Sequence, residues 1–106
     1  MHEDQKVVEA ITGEMGTLFC KGVFTDRTVF RFTLGEASIT IAISADSYTL
    51  EGDAGKADCS CRTSAEMFSK IWHDGYRPGI MDFLGGAINS DAPLLLPQFL
   101  RAFGKL

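Results

Sequence analysis

The chain has 106 residues, of which 45% are hydrophobic and 23% charged, and its formal net charge is -4 at pH 7. This composition is typical of one globular domain and excludes a disordered chain. The acidic balance argues against a nucleic-acid binder, which would carry a basic patch. No apolar run approaches the roughly 18 residues that a membrane-spanning helix needs, and we expect no secretory signal at the first residues.

Residues 4–21 are predicted to form an amphipathic helix. Apolar side chains recur there at spacings of three, four and seven, which is the spacing of one face of an α-helix. The Lys21-Gly22 pair is a plausible end for this helix. The apolar positions are Val7, Val8, Ile11, Met15, Leu18 and Phe19.

The chain then changes to a two-residue period, which predicts β-strands at 28–34, 37–44, 47–51 and 57–62. The connections are too short for crossover helices, so we predict an antiparallel sheet. One face is apolar and the other polar, which indicates that helices cover one face only. The apolar positions of the first two strands are Phe30, Phe32, Leu34, Ile39, Ile41 and Ile43.

Two short helices are predicted after the fourth strand. The sequence Thr63-Ser64-Ala65-Glu66 fits a capping box, and Gly75 ends the first helix. Pro78 suits the first turn of the second helix, and Gly85-Gly86 ends it. The apolar residues of the two helices are Met67, Phe68, Ile71, Trp72, Ile80, Met81, Phe83 and Leu84.

The last segment is predicted to hold a short edge strand at 87–90 and a C-terminal helix over 92–104. Asp91 can cap this helix, Pro93 lies near its first position, and Pro97 predicts an irregular start or a kink. The predicted fold is therefore α+β, an antiparallel sheet of about five strands with helices on one face. The apolar residues of this helix cover more than one of its faces: Leu94, Leu95, Leu96, Phe99, Leu100, Ala102 and Phe103.

Polar residues give little indication of catalysis or metal binding. His73 lies near a helix end, where it suits the helix dipole, and no nucleophile can be assigned to it. Cys59 and Cys61 point to one face of a strand, but zinc needs four ligands and no second pair is present. We therefore predict no enzyme activity, no metal and no cofactor. The three cysteines, an odd number, suggest reduced thiols and a cytoplasmic setting.

One ordered pattern spans the fourth strand and the helices after it. It consists of A-D-C-S-C at 57–61, then Ser64, Phe68, Ile71, Gly75, Pro78, Met81, Phe83 and Gly85. Its order and spacing resemble the sterol carrier protein 2 (SCP2) domain family over about residues 26–106. The chain departs from the family pattern after Gly85-Gly86, where the usual lysine is missing, and in the step from Gly75 to Pro78, which is one residue shorter.

This resemblance implies a five-stranded sheet with a hydrophobic tunnel between the sheet and the helices. Such domains bind sterols, fatty acids, acyl-CoA or phospholipids. We therefore predict that residues 1–106 form a single lipid-binding domain that holds a fatty acyl chain, a sterol-like molecule or another lipid. The predicted ligand-binding residues are Phe68, Ile71, Trp72, Ile80, Met81, Phe83 and Leu84, with Leu95, Phe99, Leu100 and Phe103 from the last helix.

Two alternatives remain open at this point. The C-terminal apolar helix could be a docking or dimerisation surface, which would make the chain an interaction module with a homodimeric or accessory protein partner. A thiol or metal function at Cys59 and Cys61 is the weaker alternative.

Overall fold

A computed structural model describes residues 2–52 and 56–105, and side chains from residue 4 onward. Within these residues the fold is α+β, with α-helices packed on one five-stranded sheet. Most of the predicted loop at 52–55 lies outside the described residues. The elements in chain order are α1 (His2–Leu18), β1 (Thr28–Leu34), β2 (Ala37–Ile43), β3 (Tyr48–Glu51), β4 (Cys59–Thr63), α2 (Ala65–His73), α3 (Ile80–Leu84), β5 (Ile88–Ser90), a 3-10 turn (Pro93–Leu95) and α4 (Leu96–Ala102).

The strand order in the sheet is β3-β2-β1-β4-β5. The pairs β1–β2, β2–β3 and β4–β5 are antiparallel, as predicted. The pair β1–β4 is parallel, with Phe30 opposite Cys59 and Phe32 opposite Cys61. The prediction of a wholly antiparallel sheet was wrong at this pair because β1 and β4 are not consecutive. Because β3 runs in the same direction as β1, the connection from β3 to β4 must return to the end of the sheet where β1 begins before β4 can run parallel to β1.

The core lies between the helix-covered face of the sheet and the helices. The alternating residues Phe30, Phe32 and Leu34 of β1 are at most 1% exposed, and Ile41 and Ile43 of β2 are fully buried. Helix α1 packs against α2 and β2 and inserts buried apolar side chains from one of its faces. The two-residue and 3.6-residue periods of the sequence therefore describe the two sides of the same core.

Several predicted helix ends differ from the structure by a few residues. Helix α1 ends at Leu18, not at 21, and the backbone N–H of Cys20 donates to the carbonyl of Ala102 at 2.7 Å. The cap of α2 is Ser64, whose Oγ accepts from the Met67 N–H at 2.9 Å. The Thr63 hydroxyl belongs to β4 and donates to the Ala87 carbonyl, so the predicted capping box lay one residue too early.

The C-terminal segment begins irregularly, as its two prolines predicted. Pro93 opens the 3-10 turn, and α4 starts at Leu96 with Pro97 in its first turn, where the missing N–H has no helical partner to lose. Asp91 does not cap this segment. Its Oδ1 accepts from the Ser60 N–H at 2.7 Å and ties the end of β5 to β4.

Two glycines are expected to respond to alanine in opposite directions. Gly35 has φ +63°, and a Cβ there would overlap the carboxylate of Asp4, which accepts from the Glu36 N–H at 3.0 Å. Gly35→Ala should destabilise the fold by at least about 1–2 kcal/mol. Gly13 lies within α1 with open space around it, so Gly13→Ala should stabilise by up to about 1 kcal/mol.

Urea unfolding followed by circular dichroism measures both changes. Equal midpoints for the two variants would contradict the described turn between β1 and β2.

Candidate functional site

An apolar cavity of about 240 Å³ lies between the sheet and the segments that follow α2. Phe32 and Cys61 contribute to its floor from the two parallel strands. Side chains from α2 and α4 form two walls, and Pro78 and Phe83 lie at its α3 side. No charged residue is among the described residues that line it. The cavity can therefore accommodate hydrocarbon but offers no ionic partner to a polar ligand.

Five of the eleven predicted ligand-binding residues line this cavity: Phe68, Ile71, Phe83, Phe99 and Leu100. Trp72 and Phe103 are fully buried in an aromatic cluster that continues from the cavity wall, with ring centroids 5.7 Å apart. Leu95 is half-buried against the core. The other three predicted residues, Ile80, Met81 and Leu84, are exposed at 72%, 74% and 73%.

The lining also includes Phe32, whose alternation in β1 places it in either the core or the sheet floor, and residues that the sequence did not predict: Cys61, Thr63, Pro78, Ile88, Pro93, Leu94, Leu96 and Pro97. The alternation along β4 was the available signal for Cys61 and Thr63, because every second residue of that strand faces the helices. The sequence predicts a backbone role for these prolines, at helix starts or a kink. Their rings here supply apolar surface to the cavity.

The aromatic cluster beneath the cavity fixes the position of α4. The ring of Phe99 lies 4.7 Å from Phe32 and 5.1 Å from Phe30, and Phe68 of α2 lies 5.0 Å from Phe32, measured between centroids. These tilted arrangements are favourable geometries for aromatic pairs. The cluster therefore holds both helical walls of the cavity on the sheet.

A carboxylate holds the α3 side of the cavity in place. Asp82 Oδ2 accepts from the Tyr76 hydroxyl at 2.7 Å and from the Gly79 N–H at 2.8 Å. These bonds lower the pKa of Asp82, and the same bond to Asp82 raises the pKa of Tyr76. The five-residue α3 is too short to be stable alone, so these bonds close the loop that carries Pro78 and help to place Phe83.

A second polar cluster contains a serine, a histidine and a carboxylate, but its geometry is structural. Ser69 Oγ lies 3.2 Å from His73 Nδ1, and His73 Nε2 lies 2.8 Å from Glu14 Oε2. Ser69 and His73 are one turn apart on α2. The backbone N–H groups beside them make hydrogen bonds within the helix, so they are not available to stabilise an oxyanion. The indole N–H of Trp72 also donates to Glu14 Oε1 at 3.4 Å. The cluster therefore ties α1 to α2.

This tie should make stability depend on pH through Glu14. The hydrogen bond from His73 is the main cause that lowers the pKa of Glu14, with smaller contributions from Trp72 and Lys105. A lowered pKa means that the contribution is present above the ordinary value of 4.5 and is lost as the pH falls through the folded-state value.

We expect Glu14→Gln to reduce the urea midpoint at pH 7 and to have a progressively smaller effect below pH 4.5. Parallel titrations of the two proteins at several pH values measure this. If the difference between the two urea midpoints stays constant down to a pH at which the Glu14 carboxylate is fully protonated, Glu14 is not the group responsible.

The cysteines form no site for chemistry in the described part of the chain. Cys59 Sγ lies 3.4 Å from the Ala92 carbonyl, and the Cys61 thiol is buried in the cavity floor, where burial raises its pKa to about 12. Within the described residues, no group of three or more histidine, cysteine or carboxylate side chains could hold a metal ion. None of the helices described is both long and apolar enough to cross a membrane.

We expect a thiol reagent such as Ellman's reagent at pH 8 to label Cys20 quickly, because Cys20 is exposed and Cys59 and Cys61 are buried. With a pKa of about 12, Cys61 would be ionised in only about one molecule in ten thousand at that pH. In Cys20→Ser, rapid labelling should disappear and return on unfolding. Rapid labelling of two thiols in the native protein would contradict the described burial.

Comparison with known proteins identifies a fold. No family model matches the sequence, and no curated protein matches it. A solved structure described as "UbiJ-SCP2 Ubiquinone synthesis protein" superposes with a TM-score of 0.56 over 90% of this chain and 78% of that chain. The two sequences are 17% identical, so the likeness concerns the fold. The fold of this chain is SCP2-like, as the sequence pattern predicted.

Proposed function

We propose that this chain is a non-catalytic lipid-binding domain that holds an apolar chain in the cavity between the sheet and the helices. The observation that carries the proposal is the cavity itself, which is partly enclosed and lined almost entirely by hydrocarbon. A cavity of this kind in an SCP2-like fold suits a ligand that is retained by burial and not by ionic contacts.

The size of the cavity bears on the ligand. Its volume of about 240 Å³ is below the roughly 300–1,000 Å³ of pockets that enclose drug-sized ligands. We therefore propose that the cavity takes the end of a fatty acyl or isoprenoid chain, while the remainder and the polar head stay outside the cavity. Burying ten methylene groups would contribute about 8 kcal/mol before the costs of ordering and association are subtracted.

The neighbouring structure adds one class of candidate ligand. Its printed name refers to ubiquinone synthesis. A lipid with an isoprenoid tail therefore stands beside fatty acids and sterol-like molecules as a candidate for this chain. The small cavity favours a linear tail over a rigid ring system.

The lining supports binding without chemical conversion. The only ionisable side chain among its described members is Cys61, whose pKa is raised to about 12 by burial. A thiol in that state is a poor nucleophile and a poor general base. The cysteines in their free form also support the proposed cytoplasmic setting.

Docking through the C-terminal helix is the second candidate, and its apolar residues mostly face inward. Phe99, Ala102 and Phe103 are at most 1% exposed, and Leu95, Leu96 and Leu100 pack against the core. Leu94 is exposed at 86%. The apolar surplus of this segment therefore serves the core and the cavity more than an outer docking face.

Two aspartate substitutions on the same short helix should separate cavity residues from exposed ones. Phe83→Asp places a charge in the cavity wall, so it should weaken binding of a fluorescent fatty acid by at least about tenfold. Ile80→Asp is the matched control because Ile80 is 72% exposed, and its binding should stay within about twofold of the original chain.

Fluorescence titration in buffer without membranes measures both dissociation constants, and circular dichroism checks that both variants fold. An equal loss of fatty-acid affinity in the two variants would contradict the cavity as the binding site. Native mass spectrometry of the protein as purified provides the independent test of ligand identity, and saturable binding of no apolar chain would refute the proposed function.

A further inference from the structure

Four large aliphatic side chains are exposed on α3 and the 3-10 turn. Ile80, Met81 and Leu84 belong to α3 and are more than 70% exposed, and Leu94 in the 3-10 turn is 86% exposed. Both elements also line the cavity, through Phe83 and through Pro93 and Leu94. We call the set Ile80, Met81, Leu84 and Leu94 the mouth surface. Large apolar side chains exposed on elements that also line an apolar cavity mark a candidate interaction surface.

The charged groups around the mouth surface include one exposed cation that is available to an anionic partner. The carboxylate of Asp82 is turned toward its own loop, where it accepts from Tyr76 and Gly79. Arg77 is exposed and makes no hydrogen bond or ion pair within the described parts of the chain. Lys70 lies close enough to Asp82 to lower its pKa. The charges of residues 70–84 balance, since Asp74 and Asp82 match Lys70 and Arg77, and Arg77 is the cation among them that is left for an anionic head group.

The side-chain types of the mouth surface favour lipid over protein. Protein interfaces depend on buried anchors that are commonly tryptophan, tyrosine or arginine, whereas the mouth surface is entirely aliphatic. Tyr76, the nearest aromatic residue in sequence, has its hydroxyl bonded to Asp82. Flexible aliphatic side chains flanked by cations are typical of surfaces that insert shallowly into an anionic lipid leaflet.

We propose that the mouth surface docks on an anionic lipid surface, so that a lipid chain passes into the cavity tail first without crossing water. Ile80, Met81 and Leu84 insert among the acyl chains, Leu94 leads from the leaflet into the cavity, and Arg77 lies at the head groups. This inference rests on the proposed function, because it explains how the cavity receives its ligand.

Co-sedimentation with sucrose-loaded vesicles tests the apolar part of the proposal. The original chain should bind vesicles of phosphatidylcholine with 30% phosphatidylserine, and Met81→Gln/Leu84→Gln should lower the partition coefficient at least tenfold. Leu50→Gln is the matched control and should bind unchanged. Leu50 is 52% exposed but lies on β3, at the edge of the sheet opposite to β5.

The same vesicles test the charged part. Arg77→Gln should lower partitioning on the anionic vesicles by about fivefold and leave binding to pure phosphatidylcholine unchanged. Arg62→Gln, on an exposed arginine of β4, is its control and should behave as the original chain on both vesicles.

Fluorescent fatty-acid binding without vesicles separates this inference from the proposed function. Met81→Gln/Leu84→Gln should bind the fatty acid within about twofold of the original chain, since neither residue lines the cavity. If the original chain binds fatty acid but sediments with neither vesicle, docking is refuted while the proposed function stands. If it sediments but binds no apolar chain, the proposed function fails.

Light scattering tests whether a second copy of the chain covers the mouth surface instead of a lipid surface. A dimer in solution that Met81→Gln/Leu84→Gln converts to a monomer, with no vesicle binding by the original chain, would assign the mouth surface to a second copy and overturn the proposal.

Discussion

The contact between Phe99 of α4 and Phe32 of β1 is the interaction on which the architecture depends. Their ring centroids are 4.7 Å apart, and both side chains are at most 1% exposed. Phe32 also contacts Phe68 of α2, so one strand residue joins two helices to the sheet. Because the cluster is closely packed, it holds α2 and α4 at a fixed separation where they flank the cavity. Aromatic contacts therefore position the two helices, and the cavity between them does not depend on a bound ligand.

The segments that enclose the cavity are different in kind from those that support it. Helix α3 has five residues and the following turn has three, and prolines interrupt both approaches. Such short elements bury too little apolar surface to collapse tightly onto the sheet. They remain in place through a few bonds, chiefly those of Asp82 with Tyr76 and Gly79. A firm aromatic floor with firmly held helical walls, closed by the lightly held α3 and 3-10 turn, suits the proposed entry of an apolar chain.

The sequence predicted the fold well where a single face is buried. Alternation in β1 and the helical spacing in α1 each identify one buried face, and the structure places those faces in one core. Strand β2 alternates in the same way, but Thr40 and Ala42 on its second face are buried as well. The parallel pairing of β4 with β1 was missed because it depends on a connection through two other strands, which local spacing does not contain.

The cavity lining was harder to predict than the core. Helix α3 is apolar at four of its five positions, so no period distinguishes Phe83, which lines the cavity, from Ile80 or Met81, which face solvent. A hydrophobic residue in the sequence indicates only that its side chain is buried against some partner. It does not distinguish a side chain that packs in the core from one whose partner is outside the chain. The placement of Pro93 and Pro97 in the lining was missed for another reason, since proline was considered only as a break in the backbone.

The parallel pair β1–β4 has a consequence for the order of folding. Phe30 faces Cys59 across this pair, a separation of 29 residues, whereas the β1–β2 hairpin turns within a few residues of Leu34. Closing the longer loop costs more chain entropy, so the three-stranded unit β1–β3 should assemble first and β4 should join it later. Because β4, α2 and everything after them complete the cavity, the proposed binding site is then the last part of the molecule to acquire its structure. A nascent chain would have a formed sheet edge at β1 before the cavity exists.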